Sequence, residues 1–169
     1  MSTTSPKAYL PNSDFCFVCG EDNQAGLQTR FYIEGDSVRA SLKPRKHHCG
    51  YLSLVHGGIV AAIIDECMVW AASRATGRMC VTAELTLRYL QHLSADREYT
   101  VVAEVTKSNR RLTSTKGAII DSQGTEYAKA EGKFSPMSPE ETMKVDDMLI
   151  YRGGEERLFD ALREVPDSE

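Results

Sequence analysis

The segment from Val55 to Glu66 carries the residue types of this sequence that are best suited to chemistry. Gly57 and Gly58 stand where an apolar run begins, and glycines at a helix start leave backbone N–H groups open at the positive end of the helix dipole. Such N–H groups can hold an oxyanion. A glycine pair is also common where a chain turns tightly into a core, so the pair alone leaves both interpretations open.

Asp65 is the second residue that indicates a site. A carboxylate in the middle of an apolar helix loses much of its hydration unless it is paired or faces a wet cleft, and no basic residue lies within one helical turn of it. We therefore expect Asp65 to line a site or an interface. Glu66 competes for that role, because it points about 100° away and only one of the two acids is expected to face the cleft. Otherwise Glu66 is a solvated or interface carboxylate.

The spacing of these groups has a consequence for assembly. Gly57 and Asp65 are eight residues apart, which in a regular helix is about 12 Å along the axis and about 80° around it. One small reacting group cannot contact both on the same helix. If both act on one group, a second copy of the helix must supply one of them. The spacing therefore predicts a homo-oligomer, either a dimer or a dimer of dimers, with composite sites.

The elements that position these residues follow from the periodicity of apolar side chains. Residues 59–72 are apolar on nearly every side, and Gly77 supplies a stop, so we expect a central helix of about 20 residues. Gly35-Asp36 predicts a hairpin. A curved antiparallel sheet wrapped around one long central helix, an α+β fold, suits this order of elements, with the last four strands as a meander. Strands are predicted at residues 27–34, 38–43, 81–89, 99–106, 112–121 and 126–134.

Length and charge limit the classes of function. The chain has 169 residues with 20 Lys plus Arg, 24 Asp plus Glu and a formal net charge of −4. It is therefore the size of one domain and has no basic excess to neutralise a nucleic acid, which is not expected as a partner. We predict three segments: a flexible N-terminal arm (residues 1–14), one domain (residues 15–136) and an acidic helical tail (residues 137–169).

The tail contains signals for the start of a helix. Ser138 suits an N-cap and Pro139 the first helical position, followed by acids in the first turn. We predict a helix from there to about Tyr151, and a second one over residues 155–164.

No apolar run approaches the roughly 18 residues that cross a bilayer, and the N-terminal residues do not form a signal peptide. We therefore expect a cytoplasmic protein without a membrane partner. The five cysteines, an odd number, are expected to be reduced. Cys16 and Cys19, together with residues 47–49, have side chains of the types that bind zinc. The second pair of closely spaced ligands that a structural zinc site usually has is missing, so we expect no metal.

Several motifs in order resemble one protein family. His56-Gly57-Gly58 has an acid nine residues after the histidine and is followed by the strand at residues 82–89. This pattern resembles the hotdog-fold acyl-CoA thioesterases of the phenylacetyl-CoA thioesterase (PaaI-like) type. Residues 16–20 with residues 23–27 resemble an arm found in one branch, and residues 130–134 resemble its closing strand. The resemblance covers about residues 15 to 135.

The resemblance implies roles for the residues around the helix. The Gly57 N–H polarises a thioester carbonyl, and His56 lies at the wall of the site. Asp65 of the partner subunit acts as general base or nucleophile. Thr82 matches a hydroxyl that positions the attacking water, although a threonine on the polar face of a strand is an equal interpretation.

Binding residues are implied in the same way. The resemblance assigns Lys107, Arg110 and Arg111, at a turn between two strands, to the coenzyme A portion of the substrate, with a solvated hairpin tip as the alternative. Gly58 and Asn23 are assigned to the substrate. Relatives often carry an amide six residues before the histidine, where this chain has Gly50. Asn23, His47 or His48 could replace that amide, or its contribution is absent.

The expected function is therefore hydrolysis of an acyl-CoA thioester, with no cofactor besides that substrate. Thioesters are activated enough for an oriented carboxylate and one or two N–H donors to suffice. Gly50 and the acidic tail keep an alternative open, in which the protein binds acyl-CoA as a scaffold without turnover. A dehydratase or hydratase of the same fold is disfavoured, because those enzymes pair a histidine with an acid across the site.

Overall fold

A twenty-residue helix, α1 (Gly57–Thr76), forms the centre of the fold. The computed structural model describes residues 7–164 of the chain. His56 caps the first turn of α1, and Gly77 ends the helix at φ 63°, a left-handed conformation that glycine adopts without strain. The predicted central helix and its stop are confirmed.

Seven of the strands within the described residues form one antiparallel sheet in the order β1-β2-β3-β7-β8-β9-β6, and β4 pairs with β5 as a separate hairpin. Their bounds in chain order are β1 (Ala8–Tyr9), β2 (Phe31–Glu34), β3 (Ser37–Leu42), β4 (Cys49–Tyr51), β5 (Leu54–Val55), β6 (Cys80–Tyr89), β7 (Tyr99–Ser108), β8 (Thr113–Ile120) and β9 (Glu126–Pro136). The α+β fold with a central helix is confirmed, and so is the hairpin at Gly35-Asp36.

The order of the sheet corrects one prediction. β7, β8 and β9 form a meander, but β6 pairs with β9 at the far edge and is not a neighbour of β7 in the sheet. The connection from Tyr89 to Tyr99 is long enough to cross the sheet, whereas short turns join β7, β8 and β9. Neighbours in sequence are therefore neighbours in space only where the turn between them is tight.

The helix packs closely on the middle of the sheet. Met68 of α1 is fully buried, and a Cβ atom at Gly117 or at Gly132 would lie 2.9 Å from its side chain. Glycine at these two strand positions lets the helix approach the sheet backbone, and the sheet encloses the apolar surface of α1. Within residues 7–164 no helix is long and apolar enough to cross a membrane.

The N-terminal residues in the described part of the chain are packed on the fold. Ala8 and Tyr9 form β1, Leu10 is 1% exposed, and the Asn12 side chain donates to the Cys19 carbonyl. The expectation of a flexible arm is thus wrong for residues 8–12, because an apolar side chain and strand pairing fix them. Residues 1–6 of the predicted arm lie outside the described residues.

The acidic segment after β9 also packs against the body. Helix α2 (Pro139–Asp146) begins at the predicted cap and ends before Tyr151, and a second short helix, α3 (Asp160–Arg163), is all that forms within residues 155–164. Phe159 is 1% exposed, which anchors this segment to the core. Residues 165–169 of the predicted tail lie outside the described part of the chain.

Candidate active site

The N-terminus of α1 presents one unengaged donor. The His56 Nδ1 atom accepts a 2.9 Å hydrogen bond from the Gly58 N–H, so that donor is already used. In the part of the chain that the structure describes, the Gly57 N–H has no protein acceptor. The expectation of two open N–H groups is thus corrected to one, at Gly57, which lies at the positive end of the helix dipole.

Tyr89 lies directly against this end of the helix. Its hydroxyl donates a 2.9 Å hydrogen bond to the Gly57 carbonyl, and a Cβ atom at Gly57 would lie 3.3 Å from the tyrosine oxygen. The first turn of α1 is therefore held by the last residue of β6. The sequence placed Tyr89 in a strand and in the motif at residues 82–89 but gave it no role at the site, because its contact with Gly57 depends on how β6 crosses the helix.

Asp65 is held by a residue of the same strand. The Thr82 hydroxyl donates a 2.8 Å hydrogen bond to Asp65 Oδ1. Asp65 is half-buried, and burial raises the pKa of its carboxyl while the Thr82 hydrogen bond lowers it. The second carboxylate oxygen is left for water or substrate. The structure thus brings Asp65 and Thr82 together.

Glu66 faces a different part of the molecule. Its Oε2 atom lies 3.1 Å from the Cys16 sulfur, and burial raises the pKa of Glu66 to about 8. Hydrogen bonds from the Cys19 thiol and from backbone N–H groups lower the pKa of Cys16 to about 5 although burial opposes this. Glu66 is therefore neither beside Thr82 nor solvated, which separates it from Asp65 as the geometry of a helix requires.

The two ends of β6 carry different parts of the candidate site. Thr82, near the start of β6, lies across β9 from Thr113, since both pair with Phe134. Tyr89, at the other end, contacts Gly57. One chain therefore presents the acid and the free N–H at opposite ends of the same strand, in agreement with the spacing of about 12 Å along α1.

The basic turn between β7 and β8 lies at the Thr82 end of the sheet. Thr113 opens β8 directly after this turn, two strands from Thr82, which is roughly 10 Å. Lys107, Arg110 and Arg111 are exposed there, and none of the three forms an ion pair within residues 7–164. The turn therefore offers unneutralised positive charge to an anion.

The remaining residues predicted from sequence lie elsewhere or are engaged. The Asn23 amide donates to the Phe15 carbonyl and its oxygen accepts from the Ala25 N–H, so Asn23 shapes its own loop. His48 is buried, with Nδ1 accepting from the Arg45 N–H and Nε2 beside the Gly26 carbonyl at 3.1 Å. Neither side chain is placed by the structure beside Gly57.

Gly50 does lie at the site. A Cβ atom built there would be 3.5 Å from Cδ2 of His56. A longer side chain at this position would cover the imidazole, so glycine leaves that wall of the site open. Nothing among the predicted amide replacements fills this space in the described structure.

A concavity of about 540 Å³ lies on the outer face of the sheet, away from α1. It is lined by alternating charges, including Arg88, Glu104, Lys116 and Lys129, and by none of the predicted site residues. Its mixed charge and the absence of Asp65 and Gly57 from its lining separate it from the chemistry described above.

A seven-stranded antiparallel sheet packed around one long apolar helix is the architecture of the hotdog fold. Residues 52–128 match the family model described as the thioesterase superfamily. The resemblance to hotdog-fold thioesterases read from the motifs is therefore confirmed for this part of the chain.

Individual proteins and solved structures are also similar to this chain. An uncharacterized protein of Schizosaccharomyces pombe is 30% identical over 111 residues, which are 62% of this chain and 63% of that protein. The crystal structure of a thioesterase superfamily protein superposes with a TM-score of 0.66 at 24% identity, covering 72% of this chain and 60% of that one. This chain thus spans less than two thirds of the length of either.

The structure of the PaaI protein from the phenylacetic acid degradation operon of E. coli gives a TM-score of 0.61 at 17% identity, over 66% of this chain and 81% of that one. A hypothetical thioesterase from Streptococcus pneumoniae, crystallised with coenzyme A, gives 0.57 at 19% identity, over 62% and 83%. At such identities the similarity establishes the shared fold.

Proposed function

We propose that this protein hydrolyses acyl-CoA thioesters to a carboxylate and free coenzyme A. The observation that carries the proposal is the carboxylate of Asp65, oriented by the Thr82 hydroxyl at 2.8 Å, in a chain whose central helix also presents the free Gly57 N–H. An oriented base and an oxyanion donor are the two groups that hydrolysis of an activated ester needs. The coenzyme A bound to the S. pneumoniae relative supports this choice of substrate.

The site is composite in this proposal. Among the described strands, β6 pairs only with β9, so its outer edge is free over ten residues, with Val81 45% and Tyr89 53% exposed. A long exposed edge strand is a template for pairing with another strand. If two copies pair antiparallel at the middle of β6, the Thr82 end of one copy lies beside the Tyr89 end of the other. Asp65 of one copy then faces Gly57 of the other, in a homodimer with two equivalent sites.

The chemical step uses groups from both copies. The thioester oxygen accepts from the Gly57 N–H, which stabilises the negative charge that develops on it. Asp65 of the second copy removes a proton from water, whose oxygen attacks the carbonyl carbon. The carbon–sulfur bond then breaks, and the coenzyme A thiolate takes up a proton. Direct attack by Asp65, with later hydrolysis of the anhydride, requires the same carboxylate in the same place.

The basic turn at Lys107, Arg110 and Arg111 fits the coenzyme A portion of the substrate. Its three cations have no acidic partners in the described structure and lie at the Asp65 end of the sheet. A multiply charged phosphate ligand gains most from cations that are not already neutralised. These residues are proposed to bind the phosphates and to take no part in bond breaking.

Gly50 favours a second candidate, binding of acyl-CoA without efficient turnover. The open wall beside His56 means that no side chain at this position helps to hold the carbonyl. The single free donor at Gly57 then carries that role alone. A protein with this weaker oxyanion site binds the thioester and turns it over slowly or not at all.

One assay separates the two candidates. The full chain is mixed with short, medium, long and aromatic acyl-CoA thioesters, and free thiol is followed against buffer and against Asp65→Asn. Hydrolysis predicts saturable thiol release that the Asp65→Asn variant lowers by about 10²- to 10⁴-fold. Release equal to that in buffer, together with saturable protection from heat by coenzyme A, supports the binding candidate and contradicts the enzyme.

A further inference from the structure

Three potential metal ligands lie together outside the machinery proposed for hydrolysis. The sulfur atoms of Cys16 and Cys19 and a carboxylate oxygen of Glu66 lie within 4.8 Å of one another. Cys19 is buried, and Cys16 and Glu66 are half-buried. The loop before β2 supplies the two sulfurs and α1 supplies the carboxylate, from positions 50 residues apart. Two thiols and a carboxylate are ligand types that Zn²⁺ binds.

The backbone around the cysteines is folded to hold a sulfur anion. The N–H groups of Val18 and Cys19 point to the Cys16 sulfur, at 3.3 and 3.5 Å. The Gly20 N–H bonds to the Cys16 carbonyl at 2.9 Å, and a Cβ atom at Gly20 would lie 2.5 Å from that oxygen. Glycine is thus required for this tight turn, which brings both sulfurs to the same side.

The charge of the cluster also indicates a cation. Within residues 7–164, no lysine, arginine or histidine forms an ion pair with Glu66. Cys67 and Trp70 are buried beside it on α1, and Trp70 hydrogen bonds to the carboxylate but carries no charge to neutralise it. A carboxylate in such surroundings is unfavourable unless a proton or a cation neutralises it. One divalent ion would satisfy this oxygen and both sulfurs together.

We propose that Cys16, Cys19 and Glu66 bind one Zn²⁺ ion, with water as the fourth ligand on the accessible side of Cys16. The zinc site fastens the loop that contains the cysteines to α1, one residue after Asp65. It replaces the expectation of no metal and the earlier candidate ligands at residues 47–49. His48 is excluded as a ligand because its two ring nitrogens are already engaged by Arg45 and Gly26.

Cobalt titration tests the site, because Co²⁺ bound by thiolates absorbs light through sulfur-to-metal charge transfer. The reduced, metal-free full chain is titrated with Co²⁺, and the zinc content of the purified protein is measured by mass spectrometry. We expect charge-transfer and tetrahedral d–d bands that saturate at about one ion per chain and disappear when Zn²⁺ is added. Reduced protein that shows no such bands overturns the proposal, as does a chain whose only product is a Cys16–Cys19 disulfide.

Variants assign the ligands. Cys16→Ser is expected to remove the charge-transfer bands, and Glu66→Gln to weaken Co²⁺ binding by about 10-fold or more. Cys49→Ser is the matched control, since Cys49 is also half-buried and lies outside the cluster. Bands that persist unchanged in both Cys16→Ser and Glu66→Gln contradict the site. Should Cys16→Ser fail to fold, the wild-type titration and the near-isosteric Glu66→Gln still decide.

Discussion

The Thr82 hydroxyl donates a hydrogen bond of 2.8 Å to Asp65 Oδ1 and so joins the edge strand β6 to the middle of the central helix. This contact fixes the carboxylate in one orientation and leaves its other oxygen free. Most residues of α1 around Asp65 are apolar. The fixed orientation of its carboxylate therefore favours a catalytic role over that of a buried acid without a function.

Thr82→Ala is therefore expected to lower kcat by about 10-fold or more, because the carboxylate loses its positioning donor. Thr82→Ser keeps the hydroxyl and is expected to retain most of the turnover. Thiol release from an acyl-CoA substrate measures both. Thr86→Ala, an exposed threonine of the same strand, is the control and should leave kcat unchanged. Equal losses in the alanine and serine variants would contradict a role for the hydroxyl.

Gly57→Pro tests the oxyanion donor, and the Cβ atom that it places 3.3 Å from the Tyr89 oxygen is also present in Gly57→Ala. Proline is well accepted at the first helical position, and His56 before it has φ −60° and ψ 135°, which suits a residue that precedes proline. Proline removes the N–H, so we expect kcat to fall by about 10²- to 10³-fold. Gly57→Ala keeps the N–H and is the matched control. A proline variant as active as the alanine variant would rule out this donor.

Much of the framework could be predicted, because the central helix and the first hairpin are each specified by a short stretch of sequence. The apolar run, its Gly77 stop and the Gly35-Asp36 turn are each decided by a few neighbouring residues. The position of β6 could not be predicted in this way. It pairs with β9, beyond two other strands, and the preference for short connections pointed to β7 instead.

The same distinction applies to the candidate site. Asp65 and Gly57 stood out because an acid and two glycines are unusual in an apolar helix. The contact of Tyr89 with Gly57, and that of Cys16 with Glu66, join elements far apart in the chain. In each case the residue itself was visible in sequence, but its partner depends on how the loop or strand crosses α1.

The hairpin between β4 and β5 stores strain beside the candidate site. Its two turn residues, Leu52 and Ser53, have φ values of 48° and 58°, which asparagine and glycine adopt more readily. Ser53→Gly is expected to stabilise the protein by about 1 kcal/mol, seen as a higher Tm. Ser114→Gly, in a strand with ordinary backbone angles, should instead lower the Tm. A lower Tm for Ser53→Gly would show that the turn is not strained.

Glu155 provides a pH-dependent contribution to stability. Its carboxylate is 4% exposed and bonds to Arg30 at 2.7 Å. Burial alone would raise its pKa, but the Arg152 N–H and the Arg30 guanidinium lower the pKa to about 2, below the ordinary value of 4.5. The stability that it contributes is therefore present above about pH 4.5 and is lost as the pH falls toward 2.

Glu155→Gln is accordingly expected to lower the free energy of unfolding at pH 7 by about 1 to 3 kcal/mol. The difference from the wild type should shrink as the pH falls from 4.5 toward 2. Denaturant unfolding across that range measures it. Glu156→Gln is the control, because Glu156 is exposed and forms no ion pair within the described residues. A deficit that is the same at every pH would contradict the assignment to this carboxylate.

Mixing two inactive variants distinguishes a composite site from one within a single chain. Gly57→Pro lacks the donor and Asp65→Asn lacks the base, so a mixed dimer contains one site with both groups intact and one site with neither. Equal amounts, exchanged at random, are expected to recover about a quarter of the wild-type turnover, since half of the dimers are mixed and half of their sites are complete. Val81→Lys, which places a charge on the exposed edge of β6, should weaken dimerisation and turnover together. If the donor and the base of a site belong to the same chain, mixing recovers nothing, because each chain then lacks one group of its own site.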